Sequence, residues 1–289
     1  MNSVTERNYD LHCHSTCSDG ELSPTELVQH AARQGVQVMA LTDHDVTDGL
    51  VEAAAEAEKL GIEFVSGVEI SVTWQKYLIH IVGLNFDPSN EALQLGLAGL
   101  RQMRQGRGEA MAERLAKAGI EDSLSGAQAY ANGQILSRTH FAKFLVETGR
   151  VKSFQAAFDR YLGTGKPAYV ACDWCTLEEA LGWILGAGGV AVIAHPARYK
   201  LSAGKLRALI EDFKALGGQG FEVISGSQGV QENHNMADYA RRHDLQASVG
   251  SDYHGPSQTW LGMGRIGALP KGLVPVWQGW SAPDKDLLP

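Results

Sequence analysis

Seven short runs rich in apolar residues punctuate the chain, at 9–14, 36–41, 64–68, 78–82, 190–194, 220–225 and 247–250. Each is four to six residues long. That length, with polar residues or glycine at the ends, marks buried strands rather than helices. Between them lie helical stretches at 24–34, 49–60, 176–185, 203–216 and 230–243. The first of these opens on Ser23-Pro24-Thr25-Glu26, an N-cap followed by proline at the first helical position and glutamate at the third. Alternating strands and helices favour a parallel sheet. Near-continuous apolar strands such as 190–194 predict burial on both faces, as in a barrel ringed by helices.

The polar residues at the strand ends supply the candidate chemistry. Run 9–14 closes on His12-Cys13-His14, where a period of two sends both imidazoles to one side and Cys13 to the other. Run 36–41 leads into Thr42-Asp43-His44, run 64–68 into Glu69, and run 190–194 into His195-Pro196. His80 lies within run 78–82, and run 247–250 leads into Ser251-Asp252-Tyr253-His254. In a barrel the C-terminal strand ends share one face, so these side chains would meet there. Imidazoles and carboxylates without thiolates suit Mn, Fe or Zn. Run 220–225 offers no obvious ligand, although His234 follows it. Asp43 and Asp45 are expected to orient imidazoles, or, for Asp45, to cap the next helix.

Charge adds a second feature. The 289 residues carry a formal charge of −8, yet residues 98–170 alone are +5 and the remainder −13. The same segment interrupts the strand and helix alternation, with helices predicted at 91–118, 140–147 and 153–161. The chain therefore divides into a first barrel part (1–97), a helical basic lid (98–170) and a second barrel part with a C-terminal tail (171–289). A basic lid attracts anionic substrates. Arg138 and Lys166 are its candidate phosphate contacts, with Arg101 and Arg104, spaced three apart and continued by Arg107, as a basic stripe on one helix. The plain alternative is a solvated helix face. Gly106 and Gly108 weaken that helix and could break it.

Four cysteines, including Cys172 and Cys175 at C-x2-C spacing, read as packed reduced thiols, because a zinc ribbon needs a second close pair. No run approaches the ~18 apolar residues of a membrane span and no signal-peptide core is visible. A cytoplasmic protein without membrane association or an obligate protein partner is expected.

The ordered set H-x-H, Asp19, Thr42-Asp43-His44, Gly67-Val68-Glu69, His80, Ala194-His195-Pro196 and Gly250-Ser251-Asp252-Tyr253-His254 resembles the polymerase and histidinol phosphatase (PHP) domain. The resemblance implies an α/β fold, a distorted (β/α)7 barrel with the helical insertion between its fourth and fifth strands. It also implies two to three divalent metal ions, with Mn favoured and Zn or Fe possible. His12, His14, Glu69 and Asp252 would hold one metal. Glu69 would bridge to a second, held with His80 and His195, and Asp19, His44 and His254 would hold a third. The nucleophile would be a bridging hydroxide held by Glu69, His195 and Asp252, with Asp19, His44 and His254 also facing substrate.

Two stretches, Ser137-Arg138-Thr139-His140-Phe141 and 161–170, resemble the bacterial branch of that family that acts on nucleoside 3',5'-bisphosphates and RNA 5' ends. That branch commonly has Arg-Pro-His where Arg138-Thr139-His140 stands here. The implied activity is removal of the 3'-phosphate from a nucleoside 3',5'-bisphosphate, with short RNA as a second substrate. Histidinol phosphatase, a metal-dependent amidohydrolase and a non-catalytic PHP binding module are the alternatives.

Overall fold

A computed structural model describes residues 7–131, 135–257 and 262–280. Seven strands stand in chain order around one sheet: β1 (Tyr9–Asp10), β2 (Val38–Leu41), β3 (Glu63–Trp74), β4 (Tyr77–Leu84), β5 (Val190–Ile193), β6 (Gly220–Ser225) and β7 (Gln246–Gly250). The ring closes between its ends, where Leu11 donates to the Val249 carbonyl at 3.0 Å, His14 to Tyr253 at 2.9 Å and Asp252 to His12 at 2.8 Å. The seven-stranded barrel expected from the apolar runs is present.

One strand departs from the parallel expectation. β4 pairs antiparallel with both β3 and β5, because only Gln75 and Lys76 separate β3 from β4. A two-residue connection makes a hairpin, whereas a parallel crossover needs a dozen or more residues. β3 also continues past Glu69 to Trp74. In the hairpin register Glu69 lies opposite Val82 and Ser71 opposite His80. The reversed strand thus brings His80 to the barrel end that Glu69 occupies, from its beginning rather than its C-terminal end.

The inner core comprises Leu11, Val38, Ala40, Val65, Val82, Leu84, Val192 and Ala194, joined by Val276 from the tail. The tail hydrogen-bonds β7 through Ala247 N to Val274 O at 2.7 Å and Val276 N to Ala247 O at 3.0 Å. Trp277 stacks on Tyr9 with centroids 4.0 Å apart. A larger core lies between the strands and helices α1 (Pro24–Arg33), α2 (Leu50–Leu60), the first turns of α3 (Glu91–Lys117), α7 (Leu177–Gly186), α8 (Ala203–Ala215) and α9 (Val230–Arg242). The box expected at Ser23 is formed, with Ser23 accepting from Glu26 N and the Glu26 side chain from Ser23 N.

Between β4 and β5 run α3, α4 (Ser123–Gln128), α5 (Arg138–Glu147), α6 (Phe154–Ala157) and a π-helical turn, Phe158–Leu162. They enclose a separate core that includes Met111, Leu115, Phe141, Leu145 and Leu162. α3 is unbroken at Gly106 and Gly108. At Gly108 a Cβ would come 2.4 Å from Leu136 Cδ2, so this glycine permits close packing rather than a break.

Candidate metal centre

Glu69 is the hub. It is fully buried, and its two oxygens face two sets of imidazoles. Oε1 lies 2.9 Å from His80 Nδ1, 2.9 Å from His195 Nε2 and 3.4 Å from His12 Nε2. Oε2 lies 2.8 Å from His44 Nδ1 and 3.4 Å from His14 Nε2. Asp252 Oδ1 faces both members of the H-x-H pair, 3.6 Å from His12 Nε2 and 3.3 Å from His14 Nε2. Asp19 Oδ1 lies 3.4 Å from His254 Nε2 and 3.8 Å from His44 Nε2. The eight side chains expected from the apolar runs, and Asp19 implied by the resemblance, therefore converge.

Their donor atoms form four overlapping groups: His12, His14 and Asp252; His12, Glu69 and His195; His44, Glu69 and His80; and His14, Asp19, His44 and His254. His44 lies beside both Glu69 and Asp19, so it is not confined to the Asp19 set. His80 and His195, expected together, sit 3.4 Å apart on the same Glu69 oxygen.

The donor set suits divalent cations. Within the buried cluster, His12 Nε2, His14 Nε2 and Asp19 Oδ1 have no hydrogen-bond partner among the described residues. Burying so many polar atoms unpaired is costly, and a cation between them would satisfy both carboxylate oxygens and imidazole lone pairs. The backbone is also constrained, since His195 and Asp252 adopt positive φ of 27° and 54°. Such conformations in non-glycine residues cost about 1–3 kcal/mol and cluster at functional sites.

Electrostatics divide the imidazoles. Burial, assisted by His254, lowers His14 to about 3, and burial lowers His80 to about 4 despite Glu69. Their lone pairs are available at neutral pH. Burial opposes charge on His254 too, but Asp19 and Asp252 raise it to about 9. His12 is likewise raised, as Glu222, Glu69 and Asp252 outweigh its burial. Against their own burial, Glu69 is held well below the usual carboxylate range by His80, His44 and His12, and Asp19 by His44 and His254.

Buried carboxylates around the cluster anchor the loops that carry it. Asp43 accepts from Ser15 N at 2.8 Å, Ser15 Oγ at 2.6 Å and Ser18 Oγ at 2.5 Å, so it shapes the turn before Asp19 rather than orienting an imidazole. Asp45 accepts from Ser71 N at 2.7 Å and pairs with Arg104 at 2.7 Å. It does not cap α2, whose N-cap is Gly49. Asp10 accepts from Ser251 N at 2.8 Å, next to Asp252. Arg198, in the turn after His195, pairs with Asp252. The sequence reading missed Arg198 and Glu222; a cation three residues after His195 was the available signal for the first.

A cavity of about 370 Å³ opens over the cluster, lined on its metal side by Asp19, His44, Glu69, His80, His195, Asp252 and His254. Its other lining includes Arg104, Arg107, Arg138, Arg198, Ser71, Ser137, Thr139, Leu78, Phe158 and Trp174. Arg104 is buried and committed to Asp45 and Ser71 Oγ. Arg107 lies over Trp174 at 5.5 Å and donates to the Val170 carbonyl at 3.1 Å. Arg138 lies 5.7 Å from the Phe158 ring centroid. Neither Arg107 nor Arg138 has a carboxylate partner among the described residues. Burial, reinforced by Arg138 and Arg104, lowers Arg107 to about 10.

Two lid expectations change, and two further histidines take structural or surface places. Arg101 is not in the cavity lining and donates to the Asp45 carbonyl at 3.3 Å; the cavity-facing part of the stripe is Arg104 and Arg107. Lys166 is exposed and also outside the lining, because it follows Gly165, whose φ of +77° turns the chain. His140 is buried and accepts from Ser137 N at 3.2 Å, closing the α5 cap. His234 is exposed on α9. The four cysteines are free, and none belongs to a convergent ligand group among the described residues.

The PHP domain model matches residues 10–216. The chain belongs to the PHP domain family. It is 48% identical over 272 residues to the 3',5'-nucleoside bisphosphate phosphatase of Chromobacterium violaceum, covering 94% of this chain and 95% of that one. It is 45% identical over 272 residues to a 5'-3' exoribonuclease of Haemophilus influenzae, covering 94% and 98%. A solved structure of an amidohydrolase from C. violaceum, with bound sulfate and no metal, superposes with a TM-score of 0.90 at 47% identity, covering 94% and 95%. No helix among the described residues is long and apolar enough to cross a membrane.

Proposed function

We propose that this PHP protein is a metal-dependent phosphoesterase that removes the 3'-phosphate of nucleoside 3',5'-bisphosphates to leave the 5'-monophosphate. The same site would accept short RNA from its 5' end. The observation that carries this reading is one cavity lined by seven of the nine His and carboxylate residues together with two arginines, Arg107 and Arg138, that have no carboxylate partner among the described residues. Such a cavity has places for two anionic groups, one at the cluster and one at the arginines. The relatives named as a bisphosphate phosphatase and an exoribonuclease support it.

Two to three divalent ions, Mn by preference and Zn or Fe as alternatives, would be held by His12, His14, Asp19, His44, Glu69, His80, His195, Asp252 and His254. When bound, such ions act as Lewis acids on phosphoryl oxygens and make water acidic enough to supply the nucleophile near neutral pH. The chain's own groups do the positioning. Glu69 presents one oxygen to each set of imidazoles. Arg198 secures the outer oxygen of Asp252, leaving Oδ1 toward His12 and His14.

Arg107 and Arg138 would hold the phosphate that is not cleaved, since guanidinium groups bind phosphate through paired hydrogen bonds. Leu78, Phe158 and Trp174 give the remaining lining an apolar surface suited to a nucleoside. Three hydroxyls in the cavity lining already have partners. Thr139 donates to Asp19 Oδ2 at 3.0 Å, Ser71 accepts from Arg104, and Ser137 accepts from Thr139 N. Among the described residues none of these three hydroxyls is hydrogen-bonded to an imidazole, and the carboxylate that Thr139 touches is itself one of the proposed metal ligands. Residues 98–170 would act as the substrate lid between barrel parts 1–97 and 171–289.

Phosphate release with added Mn from adenosine 3',5'-bisphosphate and histidinol phosphate, compared with release of nucleoside 5'-monophosphate from a 5'-phosphorylated RNA oligonucleotide, tests this. Turnover of the bisphosphate should lead. Preference for histidinol phosphate, or inactivity on all three despite bound metal, would overturn the assignment.

A further inference from the structure

Glu222 lies in β6, the barrel strand that contributes none of the nine convergent residues. It is 2% exposed, and one of its oxygens makes two contacts. Oε2 lies 3.1 Å from His12 Nδ1 and accepts the His195 main-chain N–H at 2.6 Å. His12 and His195 reach the centre from opposite sides of β6, one beyond β1 and the other beyond β5, and their rings stack with centroids 5.6 Å apart. A single carboxylate oxygen therefore ties together two loops far apart in sequence.

We infer that Glu222 is a positioning residue that presets both His12 and His195 for a cation. The inference rests on the reading that the cluster binds divalent metal. A carboxylate can only accept, so His12 Nδ1 carries a proton in that contact, which leaves Nε2 as the nitrogen turned inward for a cation. Nε2 indeed faces Glu69 Oε1 and Asp252 Oδ1. The second contact holds the peptide of His195 at its left-handed φ of 27°, from which Nε2 reaches Glu69. Space for the arrangement comes from Gly250 on β7. A Cβ there would meet His12 Cβ at 2.1 Å and Glu222 Oε1 at 2.9 Å, so any larger residue would push ring and carboxylate aside.

Groups that orient metal-binding histidines in this way typically change metal affinity by about 10–100-fold when altered. The experiment titrates metal-stripped protein with Mn and records metal-free thermal unfolding in parallel. Glu222→Gln keeps an oxygen that can accept from both His12 and His195 but removes the charge that makes His12 a stronger donor to the cation, and should melt near the wild type while binding Mn at least about tenfold more weakly. In a His12→Ala background the same change should have a much smaller effect, because its principal target is gone. Wild-type Mn affinity in Glu222→Gln, or full additivity with His12→Ala, would overturn the inference. If Glu222→Gln melts far below the wild type, Glu222→Asp provides the comparison: it keeps the buried charge but withdraws the oxygen by one methylene, and wild-type affinity there would refute the role equally. Failure of the wild type to bind Mn would instead sink the metal reading itself.

Discussion

Arg138→Ala separates recognition of the second phosphate from chemistry at the first. Arg138 lines the cavity and is partly buried, and it lies over the face of Phe158, with no carboxylate or carbonyl partner among the described residues. Its removal should cost the fold little, because no buried partner is left unpaired. A hydrogen bond to a charged group contributes about 1.5–3 kcal/mol, which converts to roughly 10–100-fold in kcat/KM. That loss is expected on adenosine 3',5'-bisphosphate, measured by phosphate release, with thermal unfolding close to the wild type. On adenosine 3'-monophosphate, which lacks the second phosphate, the loss should be within about threefold, well under the charged-bond range. Equal losses on the two substrates would refute the reasoning, for Arg138 would then serve the scissile phosphate or the fold.

Arg104→Met should behave in the opposite way: it strands the buried Asp45 carboxylate, costing about 3–5 kcal/mol of stability, and the double variant with Asp45→Asn should recover part of it. An unchanged Tm in the single variant would contradict the buried pair. Metal binding should release protons, because His254 is raised to about 9 and must lose its proton to coordinate. Below that pH the proton competes with the cation, so apparent affinity at the Asp19, His44 and His254 set should climb up to about tenfold per pH unit and level off above pH 9. Calorimetry in buffers of different ionisation enthalpy reads the released protons, and identical heats in all buffers would count against it.

The positions of the barrel strands and eight of the nine convergent residues were legible in the sequence from local rules, whereas Asp19, in the loop after His14, was reached only through the family resemblance. A short apolar run marks a buried strand, and a barrel brings strand ends together, so His12, His14, His44, His195 and Asp252 could be placed from their neighbours alone. His80 was placed for an incomplete reason. The hairpin through Gln75 and Lys76 reverses β4, and only the paired register explains why a residue early in that strand reaches Glu69. The partners beyond the donors were not legible. Glu222 reads as one polar residue in an apolar run, and its contacts are to residues 210 and 27 positions away. The charge of residues 98–170 was plain, but not which cations face the substrate. Arg101 and Arg104 look equivalent in sequence, yet one binds the Asp45 carbonyl and the other its carboxylate, while Arg107 and Arg138 reach the cavity without a carboxylate partner. Donor identity depends on residue type and local periodicity, which the chain carries along its length. Which charges are neutralised and which remain for a ligand depends on distances between remote segments, and only the tertiary structure sets those.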